Sequence, residues 1–503
     1  MSNTILHIDV NSAFLSWTAV KQLKEDPTAV DLRTIPSAIG GNVKTRHGII
    51  TAKSIPAARL GIKTAMPVVK ALEICPDLVL QKSDFDTYRQ YSHAFIDILK
   101  KYAPIVEQVS IDEAFLDLTG IEQAIKSTIF EQIVDGTLAE RDAVNGYLSK
   151  GECLNLKLFV TDPDVIHILE GDAVSRVDIY KLLPFPINAA ALIKDEIRDT
   201  LGFTVNVGVS VNKLLAKMGS DLEKPDKIHT IYPEEIQDKM WPLPIRDLYG
   251  CGGKTAEKLQ KIGIHTIGDA AKMQPEVLIS TLGVNAGSYI YSAANGKNYS
   301  TVSDQIEEAK SISNEVTTSV DIDASNVDIE GIKILHHLAA QVSKRLQKHG
   351  LYAGTVGFTV KTDDFKRRSI QKKLVDPVNS EEKIYTISKD LMYELLMGIT
   401  QQSSGKLDKS SDTTNRSLSL KKVTENSGLF GLGYKIRLMC ISTSNFDNGD
   451  YRQMTLEDLI RDSAEIEREK ELYKQKNVKQ KKLEDLNKVL KDKFGDSVVK
   501  KGF

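Results

Sequence analysis

Two apolar segments, far apart in the chain, each carry acids where an apolar side chain would pack better, and nothing else in the sequence limits the fold as much. Residues 4–9 (TILHID) are apolar and partly β-branched and end on Asp9, which reads as a short buried strand. Residues 106–118 (VEQVSIDEAFLDL) alternate, with Val109 and Ile111 before the acids and Phe115 after them. That segment reads as a hairpin with Asp112 and Glu113 near its centre. Carboxylates brought together by neighbouring strands repel one another unless cations neutralise them. Hard oxygen ligands favour Mg²⁺ or Mn²⁺ over zinc. Two such ions ~3.5–4 Å apart activate an attacking hydroxyl and stabilise the leaving pyrophosphate in phosphoryl transfer. Taken alone, an Asp-Glu pair also fits a solvated hairpin turn. Asp117 has the same chemistry, but it lies past the pair and is expected to face solvent.

The rest of the chain reads as α+β. Its 503 residues are enough for several domains. With 41% apolar and 27% charged residues it is globular rather than disordered. No run approaches the ~18–20 apolar residues of a membrane span. The start has no basic region and Asp9 interrupts the first apolar run, which argues against a secretory signal. Cys75, Cys153, Cys251 and Cys440 are far apart with no CxxC, which disfavours a disulfide framework or zinc knuckle and fits a cytoplasmic protein. Helices are expected at 11–24, 67–72, 85–102, 187–201, 212–222, 332–348 and 381–396. Further strands are expected at 33–41, 48–53, 204–210, 313–320, 355–361 and 434–442. Residues 242–296 read as short helices with glycine turns, 401–427 as a flexible polar loop, and 455–494 as a charged helix with one apolar stripe.

Four blocks then narrow the reading. LHIDVNSAF and VSIDEAFLDLTG resemble the two acidic motifs of the Y-family, the translesion DNA polymerases. VGVSVNKLLAKMGSDLEKPDK resembles that family's third block, and LYGCGGKTAEKLQKIGIHTIGDAA its thumb hairpin. All four stand in family order within residues 4–272, and a looser likeness to the bacterial IV and V types runs through Phe446. The resemblance implies a right-hand polymerase. It would have a ferredoxin-like palm at 1–18 and 81–230, small fingers at 19–80 and a thumb at 231–300. A linker at 301–310, a C-terminal little finger at 311–446 and a helical tail at 447–503 would follow. It also implies that Asp9, Asp112 and Glu113, with the backbone carbonyl of Val10, hold two Mg²⁺ ions, Mn²⁺ being a substitute. A primer 3′-OH would attack the α-phosphate of a dNTP on primer-template DNA.

Around the nucleotide, Phe14 falls on the family's steric gate, where a ring fills the space a ribose 2′-OH would need; its other reading is a core residue of the first helix. Lys224 falls on the triphosphate lysine, with Lys217 a weaker candidate. The family often carries a fingers string like YPAR. Here Ile55-Pro56-Ala57-Ala58 stands there, followed by Arg59, so Arg59, Lys53 or Arg46 would have to substitute.

Three features point to DNA and partners. Gly250, Gly252 and Gly253 followed by Lys254 give a helix–hairpin–helix signal, in which backbone N–H groups and a helix N-terminus meet a phosphate. Lys361, Lys366, Arg367, Arg368, Lys372 and Lys373 form a basic run beside an expected strand, which reads either as a phosphate contact or as a solvated edge. Gln453, Met454 and Leu456 resemble a sliding-clamp peptide, although Glu457 stands where an aromatic is usual. Residues 121–187 read as an acidic addition to the palm, with 6 basic and 11 acidic residues. That addition explains why a net charge of −2 is compatible with DNA: residues 311–446 carry 19 basic against 15 acidic side chains. The alternative to an active polymerase is a catalytically weak or silent relative that binds DNA or the clamp; a nucleotidyl cyclase is disfavoured by the DNA-holding elements.

Overall fold

The computed structural model describes residues 3–41, 48–135, 156–157, 185–305, 308–398 and 428–447, with residues 471 and 478. The chain divides into two compact units, Met1–Ile306 and Glu307–Phe503.

The first unit is built on a six-stranded sheet in the order β5-β6-β1-β8-β9-β7. Its strands are β1 (Ile5–Val10), β5 (Ile105–Gln108), β6 (Glu113–Asp117), β7 (Leu156–Lys157), β8 (Val205–Ser210) and β9 (Ile228–Thr230). β1 pairs antiparallel with β6 on one side and β8 on the other. Side chains alternate across a strand, so even and odd residues of β1 serve different faces. Leu6, Ile8 and Val10, with Val205, Val207 and Val209, enter the main core. Helices α1 (Ala13–Glu25), α4 (Phe85–Tyr102) and α6 (Ile187–Leu201) cover that face with Trp17, Phe95 and Leu192. His7 and Asp9 point the other way, toward α7 (Lys213–Asp221). Gly208 permits this: a Cβ there would collide with the Ala216 carbonyl and the Ser220 nitrogen, so only glycine lets α7 lie this close to β8.

A smaller sheet, β3-β2-β4, consists of β2 (Ser37–Gly40), β3 (Ile50–Lys53) and β4 (Val79–Gln81). The short helices α2 (Ile55–Arg59) and α3 (Val68–Ile74) border it around Ile50, Ile62 and Val68. Leu15 and Ala19 of α1 pack with Ile39 and Ala52 to join this sheet to α1. Of segment 121–187, helix α5 (Glu122–Val134) and β7 are described, and β7 extends the main sheet parallel to β9. Helices α8 (Gly253–Gln260), α9 (Ile267–Lys272), α10 (Pro275–Leu282) and α11 (Val284–Ala294) pack around Leu259, Ile267, Leu278 and Ile290.

The second unit is an antiparallel sheet, β10-β13-β11-β12, under two helices. Its elements are β10 (Ser311–Ile322), α12 (Ile332–Lys348), β11 (Tyr352–Thr362), β12 (Arg367–Val378), α13 (Glu381–Met397) and β13 (Ile436–Asp447). Leu338, Val356, Phe358 and Met392 lie in its core.

Two strands differ from the sequence reading. β4 falls where no strand is expected. The basic run sits beside the expected strand and forms one of its own: Arg367, Arg368, Lys372 and Lys373 belong to edge strand β12, hydrogen-bonded to β11. Arg46, the 401–427 loop, the 455–494 helix apart from residues 471 and 478, and Gln453, Met454 and Leu456 lie outside the described residues. No described helix is long and apolar enough to cross a membrane.

Candidate active site

Register brings the acids together. Asp9 stands opposite Glu113 across the β1–β6 ladder, and the Val10 N–H donates to the Asp112 carbonyl at 2.9 Å, tying the end of β1 to the turn before β6. Asp112 lies in the turn of the hairpin and Glu113 opens β6. Asp117 is half-buried rather than facing solvent, and it accepts the Thr119 N–H at 2.9 Å. It lies four residues along β6 from Glu113, roughly 13 Å at about 3.3 Å per residue, too far to share an ion with it.

Two lysines meet these acids. The Lys217 ammonium, from α7, donates to Glu113 Oε2 at 2.8 Å. Lys224, just past α7, pairs with Asp9 and lies 2.9 Å from Asp221. Lys217 is therefore at the site itself. The asparagine cap helps to aim the helix: Asn212 Oδ1 accepts the Leu215 N–H at 2.9 Å.

Charge is distributed unevenly. Glu113 is held down at about 2, by its contact with His7 first and then by Lys217, against the opposing effect of burial. Asp112 is pushed above the usual carboxylate range by burial first, then by the charges of Asp9 and Glu113. Ser110 Oγ donates to Asp112 at 2.5 Å and only partly offsets this. Burial pulls both lysines down, but their acid partners outweigh it and both are raised. Among the described residues no three acidic, His or Cys side chains already form a metal cage. The donor set nonetheless fits a hard divalent cation. It is all oxygen, and while Glu113 and Asp9 pair with Lys217 and Lys224, Asp112 forms no ion pair among the described residues and is raised by burial and by its acidic neighbours.

His7 is the residue the sequence reading missed. It is fully buried beneath the acids, with Nδ1 2.7 Å from Ser220 Oγ and Nε2 3.3 Å from Glu113 Oε2. The signal was present, because residues two apart on a strand share a face, so His7 had to lie under Asp9.

Phe14, in the first turn of α1, is half-buried and stacks on Tyr88 with centroids 4.5 Å apart. It also touches the cluster that joins α1 to the small sheet. Arg59 is exposed in the last turn of α2, and Ile55 is 43% exposed at its start. Lys53 Nζ is 3.3 Å from Thr64 Oγ1.

In the helical segment, Gly250 has φ +83° and Gly252 is the N-cap of α8. Tyr289 from α11 donates to the Tyr249 carbonyl at 2.7 Å and lays its ring 2.6 Å from where a Gly250 Cβ would stand. Apart from their own chain neighbours and helix backbone, no described residue comes within 4 Å of a Cβ built on Gly252 or Gly253, so their outer faces are open among the described residues. Lys254 is exposed beside them.

In the second unit, strand alternation splits the basic run. Lys361 pairs with Arg367 and Thr355 with Lys373, on the face away from the buried Val356, Phe358 and Val360. Arg368 and Lys372 point the other way, and Arg368 lies 5.3 Å over the Tyr434 ring. Arg367 is paired with Glu315 at 2.9 Å, an exposed contact that costs little to exchange.

Carboxylates gathered this way, with ammonium groups beside them suited to phosphate, mark a nucleotidyltransferase. The chain matches the impB/mucB/samB family over residues 8–221, that family's C-terminal domain over 309–456, and the IMS family HHH motif over 233–264. It is 36% identical over 396 residues to DNA polymerase IV of Clostridium acetobutylicum, covering 78% of this chain and 84% of the relative. It is 30% identical over 407 residues to DNA polymerase IV 1 of Bacillus subtilis, covering 79% and 81%. Its fold is similar to a solved Y-family DNA polymerase chimera of Dbh and Dpo4, with a TM-score of 0.59 and 21% identity over 88% of this chain and 98% of that one. The chain belongs to the impB/mucB/samB family, the Y-family polymerases that its motifs resemble.

Proposed function

We propose that this chain is a template-dependent DNA polymerase of the translesion type, adding dNTPs to a primer 3′-OH opposite damaged or undamaged template. The observation that carries the reading is the meeting of Asp9, Asp112 and Glu113 with Lys217 and Lys224 at one end of the central sheet. Divalent cations, two Mg²⁺ ions with Mn²⁺ as a substitute, supply activation of the attacking hydroxyl and neutralise the leaving pyrophosphate. Asp9, Asp112 and Glu113 hold them, with the Val10 carbonyl as a further ligand.

The chain's own groups do the rest. Lys224 exchanges its contact with Asp9 for the triphosphate, a change of partner between anions that keeps its charge compensated. Phe14, braced on Tyr88, fills the space beside the sugar and excludes a 2′-OH. Arg59 contributes to the triphosphate in place of the missing fingers Tyr and Arg. The open backbone at Gly252 and Gly253, with Gly250 shaping the turn and Lys254 alongside, holds a DNA phosphate. Lys361 and Arg367 hold others through one face of the second sheet, and Arg368 contributes from the edge.

In this reading the six-stranded sheet and its helices are the palm, the small sheet the fingers, the helical segment the thumb, and the second unit the little finger. The enzyme works in the cytoplasm, and Gln453, Met454 and Leu456 are its contact to the replication sliding clamp. The intact acids favour an active enzyme over a silent accessory protein. Primer extension with an Asp112→Ala control tests the reading.

A further inference from the structure

Glu113 is approached from below by two groups that choose the same oxygen. Lys217 Nζ lies 2.8 Å and His7 Nε2 3.3 Å from Oε2. His7 is completely buried, and among the described residues its Nε2 has no properly aligned hydrogen-bond partner. Its ring is wedged in place: Nδ1 is 2.7 Å from Ser220 Oγ, and the ring lies 4.6 Å from Phe115. The neighbouring strand leaves room for it, because the residue opposite His7 on β8 is Gly208. Ser220 Oγ has one proton for two acceptors, the Lys217 carbonyl at 2.9 Å, to which it donates within α7, and His7 Nδ1 at 2.7 Å. Given to Nδ1, that proton leaves the ring proton on Nε2, the nitrogen that lies 3.3 Å from Glu113 Oε2.

We propose that His7 is a positioning residue for Glu113: together with Lys217 it holds Oε2 from the protein side and so reserves Oε1 for a divalent cation. A carboxylate held by one oxygen presents the other in a fixed direction and binds an ion through it alone. Groups of this kind orient the ligands of a metal, and their loss commonly costs about 10–100-fold in metal affinity. The inference rests on the reading of Glu113 as a metal ligand given above, and Ser220 becomes its outermost member.

The test is Mn²⁺ titration of the full chain followed by electron paramagnetic resonance, with dNTP and a primer-template ended in a dideoxynucleotide so that no chemistry occurs. Wild type, Glu113→Gln, His7→Phe, His7→Gln and Ser220→Ala are compared, with thermal melts alongside. His7→Phe keeps the ring volume and removes the donor, so Mn²⁺ affinity should fall about tenfold; in parallel extension assays on an ordinary primer kcat should fall with it, while KM for dNTP changes less than about twofold. His7→Gln restores a donor near the Nε2 position and should recover most of the affinity. If His7→Phe does not fold, Ser220→Ala, which frees the ring to turn, should still weaken Mn²⁺ binding several-fold. Wild-type affinity in a folded His7→Phe, or in Ser220→Ala where His7→Phe fails to fold, overturns the role of His7. So does a His7→Gln that is no better than a folded His7→Phe. If wild type and Glu113→Gln bind Mn²⁺ equally, the metal-ligand reading of Glu113 fails first, and the proposal for His7 falls with it.

Discussion

The Lys217 ammonium donates to Glu113 Oε2 at 2.8 Å, and neither side chain is more than about a fifth exposed. With the contact to His7 as the larger influence and Lys217 as the second, Glu113 stays ionised far into acid, at about 2 against an ordinary 4.5. A carboxylate whose folded-state value is depressed adds stability that is complete above its unfolded value and is lost as pH falls through the folded one. In EDTA the Glu113 contribution should hold from pH 7 to about 4.5 and fade toward pH 2. Lys217→Met removes one of the two causes. Its loss should begin at higher pH, with a destabilisation of about 1–2 kcal/mol at pH 7. Urea unfolding at pH 7 and pH 4 checks this, and identical acid profiles for the two proteins would refute it.

Asp112 has the opposite sign. Burial and the charges of Asp9 and Glu113 push it up, so in the absence of cations its ionised form works against folding at neutral pH. Asp112→Asn should make the cation-free protein slightly more stable while removing most of its stabilisation by Mn²⁺. In wild type, an ion at about 100 times its dissociation constant adds about 2.7 kcal/mol. Melting with and without Mn²⁺ separates the two effects. A variant that loses stability in EDTA and keeps the full Mn²⁺ gain would contradict the assignment.

Phe14 has a double role to test. Its ring stacks on Tyr88 and is half-buried, so Phe14→Ala should cost about 1–2 kcal/mol, less than a fully buried ring. The same change should raise incorporation of ribonucleotides relative to deoxyribonucleotides by at least about tenfold, as the 2′-OH gains room. Single-nucleotide insertion assays give the ratio, and an unchanged ratio would leave Phe14 a core residue alone.

The second sheet offers a contrast between faces. Lys361 and Arg367 are paired across β11 and β12 and point the same way, whereas Arg368 points oppositely. Replacing both Lys361 and Arg367 by Ala should lower the slope of log affinity against log salt by up to about 1.8, near 0.9 per phosphate contact. Arg368→Ala should change it by less than about half as much. Fluorescence anisotropy with labelled primer-template over a salt series measures this. Equal effects from both faces would show that the alternation does not govern contact.

Much of this was legible in the chain. Helices with a strong 3.6-residue pattern and clear ends, such as Phe85–Tyr102, Ile187–Leu201 and Ile332–Lys348, stand where the sequence puts them. Their burial is decided locally by which side chains fall on one stripe. Edge strand β12 was less so, legible only as the solvated-edge reading of the basic run: its charged side chains fall on both faces and hide the alternation that marks a half-buried strand. Asp9, Asp112 and Glu113 could be found because acids at strand ends are conspicuous among apolar residues. Lys217 looked secondary because nothing in α7 says which face meets the sheet. Gly208 decides that, by letting the helix sit directly on β8. His7 went unremarked because a histidine in a strand has many uses, and only the packed structure brings Ser220 and Glu113 to its two nitrogens.

The most direct measurement is extension of a labelled primer on a DNA template by the purified full chain, with Mg²⁺ or Mn²⁺, beside Asp112→Ala. Stepwise extension should depend on the cation and the template, and should fall by about three orders of magnitude or more in the variant, since several kcal/mol of charge stabilisation are lost. DNA binding without extension under either metal, or extension undiminished in Asp112→Ala, would contradict the account.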